Sequence, residues 1–360
     1  MILVSLLRTP DDMTGLADRD WDVAIPQARR AGLLARLATV AQARKLYDAI
    51  PERPRQHLKA AYRLASKHQR DVRYELDRIR QMLGSLLGTI VLLKGAAYLA
   101  AGLAPSAGRV FADIDILVPE DKLAAVEAVL RLAGWRSGDV DPYDDLYYRR
   151  WMHQIPPLTH VERQSTIDVH HSIVPRTARI GAVPAEPLLR CAVPLPDLPG
   201  FAVLAPEDMV LHSATHLFNE GEFHNGLRDL SDLDLLFRAF GADPAFWPKI
   251  QARAVALGLT RPLSYALRSC DAVLGTPVPA EALEAAKRFV PAAVRIVMNI
   301  CFKRALAPQH RSCQDALTRP ALMFLYVRAH YLRMPLRLLV PHLLRKSFRR
   351  EPAPETPDAV

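Results

Sequence analysis

Two aspartates stand two residues apart in Arg109-Val110-Phe111-Ala112-Asp113-Ile114-Asp115-Ile116-Leu117-Val118. The alternation with branched apolar residues predicts a β-strand over 111–118, and successive side chains of a strand point to opposite faces. Asp113 and Asp115 therefore share a face, where they repel each other unless a cation lies between them. Oxygen ligands of this kind suit Mg²⁺, which takes one or two carboxylates and completes its shell with substrate phosphates. A lone Asp-x-Asp fits an exposed strand with two solvated acids at least as well, so the upstream residues decide. There, Leu92-Leu93-Lys94-Gly95-Ala96-Ala97 reads as the end of a short buried strand (89–93), a glycine that permits close backbone approach, and a helix over 96–103. A helix N-terminus after a glycine offers free N–H groups and a positive dipole end to an anion. Lys94 adds a charge that can meet a phosphate. Together the two stretches place an anion-binding turn beside a metal-binding pair.

In this order the motifs resemble the nucleotidyltransferase superfamily with the polymerase-β-like fold. They are most similar to the bacterial uncharacterised nucleotidyltransferase group, whose signature runs Leu-Lys-Gly, helix, Arg, Asp-Ile-Asp, and they also resemble nucleotidyltransferase toxins of abortive-infection systems. The motifs cover about residues 89–175, and a looser likeness extends over 204–240. The resemblance implies that Gly95 and Ala96 fill the family's Gly-Gly/Ser turn and that Asp113 and Asp115 bind metal. It further implies an α+β core, two Mg²⁺ ions, and transfer of a nucleotide from ATP or another nucleoside triphosphate to an acceptor hydroxyl with release of pyrophosphate. Two departures stand out. Ala96 replaces a glycine or hydroxyl residue and removes a donor to the phosphates, and the loop 102–108 lengthens the spacing to Asp113. A catalytically degenerate nucleotide-binding or partner-regulating protein of the same fold is the alternative.

The family pattern requires a third carboxylate on a neighbouring strand. Thr166-Ile167-Asp168-Val169-His170 alternates, so Asp168 and His170 share a face, and the resemblance points to Asp168 as the residue that completes the metal site. The competing role for Asp168 is a strand-edge acid paired with an arginine such as Arg163. His170 fits either a base or substrate contact or a structural histidine. Lys94 and Arg109 are candidates to offset negative charge on the nucleotide; Arg109 equally suits bracing the loop before the strand.

The elements that must position these residues divide the chain into a helical segment at 1–88, a core at 89–203, a helical domain at 204–348 and a disordered tail at 349–360. In the first segment helices are expected over 25–50 and 56–87, the second with Leu64, Tyr74, Leu76, Ile79, Met82 and Leu83 near one stripe. Within the core a strand pair is expected over 145–152 and 158–163, and the proline-rich stretch 174–205 reads as a loop-rich wrap. His212 and His216, four apart on a helix, could form a second metal site with His224 and Asp229, but no fixed ligand spacing supports it. The spacing of three could aim Asp229 and Asp232 towards the cleft, but Asp229, Asp232 and Asp234 read better as ordinary partners of arginines such as Arg228 and Arg238.

Half of the 360 residues are hydrophobic, enough for a sizeable core. The net charge of +9, taken as spread along the chain, favours polyanionic partners such as nucleotides or RNA. The acceptor itself, whether RNA, protein or small molecule, lies beyond the sequence motifs. Four cysteines without paired spacing read as reduced thiols, consistent with a cytoplasmic protein. The segment 326–350 mixes leucines with arginines, a pattern that reads first as a helix with one buried face and a solvated basic face. It also suits an anionic membrane or RNA, although Pro335 and Pro341 would break one long surface-lying helix.

Overall fold

The computed structural model describes residues 1–138, 141–219 and 221–339, apart from the side chains of Pro142 and Asp144. The predicted tail at 349–360 lies outside the described residues, as does the last part of the helical domain. Helices α1 (Ile2–Arg8), α2 (Asp18–Arg30), α3 (Leu34–Ala43) and α4 (Glu52–Leu87) precede the first strand. The helix expected over 25–50 is thus split, at Gly32 with φ +64°. On α4 the side chains of Leu58, Ala65, Val72, Leu76, Ile79 and Leu83 are buried at heptad-like spacing. Leu64 and Tyr74, expected on that stripe, are exposed.

The middle of the chain builds the sheet. Strands β1 (Ile90–Leu93), β2 (Ile114–Leu117), β3 (Trp135–Arg136), β4 (Leu158–His160), β5 (Thr166–His170), β6 (Val193–Pro194) and β7 (Phe201–Val203) form it. Helices α5 (Lys94–Ala100), α6 (Leu123–Leu132), α7 (Pro142–Trp151) and α8 (Glu186–Arg190) connect them. The order across the sheet is β3-β4-β5-β2-β1-β7-β6. β1 runs antiparallel to β2 and parallel to β7, and β2 runs parallel to β5. All four residues of β1 are buried, as expected of a strand with neighbours on both sides and helices over its faces. Beyond the sheet the described residues form helices α9 (Pro206–Asn219), α10 (Gly226–Phe240), α11 (Phe246–Ala256), α12 (Thr260–Ser269), α13 (Ala280–Lys287), α14 (Ala292–Ala305) and α15 (Thr318–Arg333). α9 packs on α10, α11 and α12, while α4 packs on α3, α6 and β1. Buried apolar side chains form one continuous cluster from Leu3 to Leu325. The architecture is α+β, a mixed sheet with flanking helices.

Two expectations are corrected. Residues 145–152, read as a strand, lie in helix α7 as far as Trp151. Asp141 caps that helix by accepting the Tyr143 N–H at 2.7 Å, Pro142 sits in its first turn, and Arg149 pairs with Asp145 one turn back at 2.8 Å. The stretch 174–205 is not only loop: it supplies β6 and β7, the latter hydrogen-bonded to the central strand. The strand expected over 111–118 is shorter, and Asp113 lies just ahead of it.

Candidate metal and nucleotide site

Register brings the acids together. Because β2 and β5 are parallel neighbours, Asp115 faces Asp168 and Leu117 faces His170 across the pair. Side chains of Asp115, Asp168 and His170 offer ligand atoms that all lie within 4.8 Å of one another. Asp115 is 2 % exposed. Its Oδ1 accepts hydrogen bonds from Lys94 Nζ at 2.8 Å and from His170 Nε2 at 2.9 Å. Burial disfavours the Asp115 charge, yet the Lys94 ammonium and the His170 hydrogen bond outweigh it and hold the carboxyl well below its usual range. Lys94 is correspondingly pushed up, because the Asp115 charge outweighs the cost of burying the ammonium.

Lys94 reaches this position from an unusual backbone. It follows β1 directly and has φ +46°, a conformation costly for a residue with a Cβ. That geometry turns the chain from strand into α5. Gly95, next in line, has a steric reason of its own: a Cβ there would lie 2.8 Å from Arg109 Nε and 3.1 Å from Phe111 Cδ1. Ala96 is 1 % exposed, with its methyl in the core.

Asp168 has the opposite surroundings to Asp115. Its Oδ2 accepts one bond from the neutral Gln154 amide at 3.1 Å, and its Oδ1 is buried without a partner. Burial, then the Asp115 and Asp113 charges, push its pKa up to about 7. Arg163 is not its partner; it pairs with Glu75 at 2.6 Å. Asp113 sits partly buried at the entrance to β2, and burial followed by the Asp115 charge raises it. It lines a cavity of about 420 Å³ bounded by His68, Asp71 and Glu75 of α4 and by Arg163 and Ser165. A second cavity, of about 620 Å³, shares Phe111 and Ala112 in its lining and is also bounded by Arg29, His57, Leu64 and Arg228.

The donor set suits a hard cation. Three carboxylates lie near one ammonium, and the unpartnered Asp168 Oδ1 is a buried acceptor that a cation would satisfy. Burial lowers the pKa of His170; its Nε2–H is committed to Asp115 and its Nδ1 has no partner. Arg109 has an acid partner outside the trio. It is ion-paired with Asp232 of α10, which also takes Arg36 at 2.7 Å. Gly108 allows this approach: at φ +66°, a Cβ there would sit 2.4 Å from the Ala35 carbonyl oxygen.

The remaining acids and histidines separate into partnered groups. Asp229 pairs with Arg228 at 2.9 Å and Asp234 with Arg238 at 2.8 Å, as read from the sequence. His212 is buried and His216 half-buried, and both are lowered by desolvation first, then by the Lys94 charge. They do not gather His224 or Asp229: His224 is exposed, with Glu222 at 3.8 Å. They lie instead beside His170 and beside His153, which the sequence pattern does not single out. Gln154 is likewise not signalled. Both come from the loop after α7, where Gln154 and His170 form an isolated bridge to the sheet, and no local pattern marks that contact.

No curated protein and no solved structure matches the chain. A family model described as Uncharacterised nucleotidyltransferase matches residues 17–275, which contain the whole sheet, the Lys94-Gly95 turn and every acid of the site. Its span and the register-paired aspartates agree, and the chain belongs to the uncharacterised nucleotidyltransferase family.

Proposed function

We propose that the protein is a Mg²⁺-dependent nucleotidyltransferase that moves a nucleoside monophosphate from ATP or another nucleoside triphosphate to an acceptor hydroxyl, releasing pyrophosphate. The observation that carries this reading is the Asp115–Asp168 register pair with its buried, unpartnered Asp168 Oδ1. Asp113, Asp115 and Asp168 would hold the metal. Bound Mg²⁺ would supply charge stabilisation at the transferred phosphoryl group and activation of the acceptor hydroxyl. Lys94 contributes a fixed positive charge beside the reacting phosphate, where negative charge develops. Gly95, Ala96 and Arg109 complete the nucleotide-binding stretch in this reading, with Arg109 held in place by Asp232. His170 fixes the rotamer of Asp115 through its Nε2–H. The cavity beside Asp113 has the size of a small-molecule site and offers room for the base or the acceptor. The core at 89–203 forms the catalytic unit, and the flanking helical segments shape access to it.

The test is incubation of the purified chain with each labelled triphosphate, Mg²⁺ and total cell extract. Label should pass to RNA, protein or a small molecule, and should not pass in chelator or in Asp113→Asn. No transfer from any triphosphate would sink the reading. One observation favours a second reading, a degenerate nucleotide-binding or partner-regulating protein. Lys94 Nζ already occupies Asp115 Oδ1 at 2.8 Å, so the site partly neutralises itself. Triphosphate binding by titration without transfer would select that alternative.

A further inference from the structure

Charge is distributed unevenly along this chain. Residues 291–350 hold twelve arginines and lysines against one acid, Asp315, while residues 1–290 hold 35 against 34. The positive excess is therefore not spread along the chain, contrary to the expectation from composition, but confined to its last sixty residues before the acidic tail. Asp315 is itself paired, with Arg304 at 2.7 Å.

The same stretch leaves apolar surface in solvent. α15 buries Thr318, Ala321, Leu325 and Ala329, a stripe spaced three and four apart that faces the fold. Its outer side carries Met323, Phe324 and Val327, which are 63 %, 47 % and 58 % exposed. On α14, which packs against α15, Ile296 and Ile300 are 59 % and 47 % exposed. A helix apolar on both sides calls for a second apolar environment, and exposed apolar surface at this density marks an interaction face.

We infer that the outer face of α14 and α15 docks on an anionic lipid surface. Two chemical demands must be met together, one apolar and one anionic. A second copy of the chain would bring two like-charged surfaces into contact. An RNA strand would satisfy the cations and could stack on Phe324, but would leave Met323, Val327, Ile296 and Ile300 against water. A bilayer interface takes the apolar side chains below its headgroups while its anionic phosphates meet the cations, among them exposed Arg319 and Arg337. The face lies on the membrane and does not cross it, because among the described residues no helix is long and apolar enough to span one. In sequence, Leu343-Leu344-Arg345-Lys346-Ser347-Phe348-Arg349-Arg350 continues the same mixture of apolar and basic residues.

Flotation of the full chain with phosphatidylglycerol–phosphatidylcholine vesicles, beside pure phosphatidylcholine vesicles, tests this. The protein should float with the anionic vesicles, less so as salt rises, and stay down with the neutral ones. Phe324→Glu/Val327→Glu should lower vesicle affinity roughly tenfold or more with an unchanged melting temperature, since both side chains are exposed. Arg319→Gln/Arg337→Gln should weaken only the binding that salt also weakens. Failure to float with anionic vesicles, or equal flotation of the Glu variant, would overturn the proposal. So would light scattering that shows a dimer broken by the Glu variant, or an RNA affinity that the Glu variant reduces in place of vesicle binding.

Discussion

Asp229, Asp232 and Asp234 on α10 and Asp113, Asp115 and Asp168 at the sheet are both trios of acids in or beside the core, yet they meet opposite surroundings. On α10 each carboxylate has its own guanidinium: Arg228 for Asp229, Arg36 and Arg109 for Asp232, and Arg238, with Thr276 at 2.7 Å, for Asp234. At the sheet one ammonium, Lys94, serves the trio, and Asp168 is left with a neutral amide and an unpartnered oxygen. Acidic spacing is therefore a poor guide to a metal site. The informative quantity is how many of the acids the fold has already neutralised.

Removing acids one at a time breaks this comparison most directly. Asp168→Ala should lower nucleotide transfer roughly hundredfold or more while the melting curve stays close to wild type. Asp115→Asn should lose transfer too, but at a cost in stability, because it leaves the Lys94 ammonium without its buried partner. Activity per folded molecule is the measurement, and full activity in either variant would remove that residue from the mechanism. Asp232→Ala should act first on stability. It strands Arg36 and Arg109 as buried cations, which costs about 3–5 kcal/mol in a denaturant titration.

The pH dependence sharpens the contrast within the sheet trio. Asp168 titrates at about 7 in the folded chain, against about 3.9 when unfolded. Between these values the folded state holds the extra proton, so this contribution to stability is present at low pH and is lost as pH rises through the window. Histidines with lowered pKa add stability over the same window, so the Asp168 contribution is read as a difference. In chelator, wild type should lose on the order of 2–4 kcal/mol relative to Asp168→Asn from about pH 4 to about pH 7. Mg²⁺ should suppress that difference. Parallel profiles of the two proteins in chelator would mean that Asp168 is not held neutral by its surroundings. The smallest effect belongs to Asp229→Ala, whose partly exposed pair with Arg228 should be worth no more than about 1 kcal/mol by thermal melts.

Much of the site was legible because strands write their faces into the sequence at period two. The alternation around Asp115 and Asp168 gave both residues one facing, and the Lys-Gly turn marked where β1 ends. The partners of those acids were less legible. That Arg109 turns to Asp232, and Arg163 to Glu75 rather than Asp168, is set by how α10 and α4 pack, which no spacing within either segment encodes. Gln154 and His153 reach the site from a loop, through an isolated bridge. In the fold, α7 was misread because its tyrosines and tryptophan favour strands while its cap and ion pair favour a helix. β7 was hidden by its three-residue length among prolines.

The pairing of Ile90 with Phe201 bears on how the chain comes off the ribosome. β1 is the first strand made, and its parallel neighbour β7 is the last. Until Phe201–Val203 emerges, one edge of an entirely apolar strand is open, and an open apolar edge is a template for pairing with another chain. Such long-range parallel closure is also slow to form. Nascent chains and fragments ending before β7 therefore share one hazard, self-association through β1. A soluble core fragment must extend past Val203, however well its active-site residues are contained in what comes before.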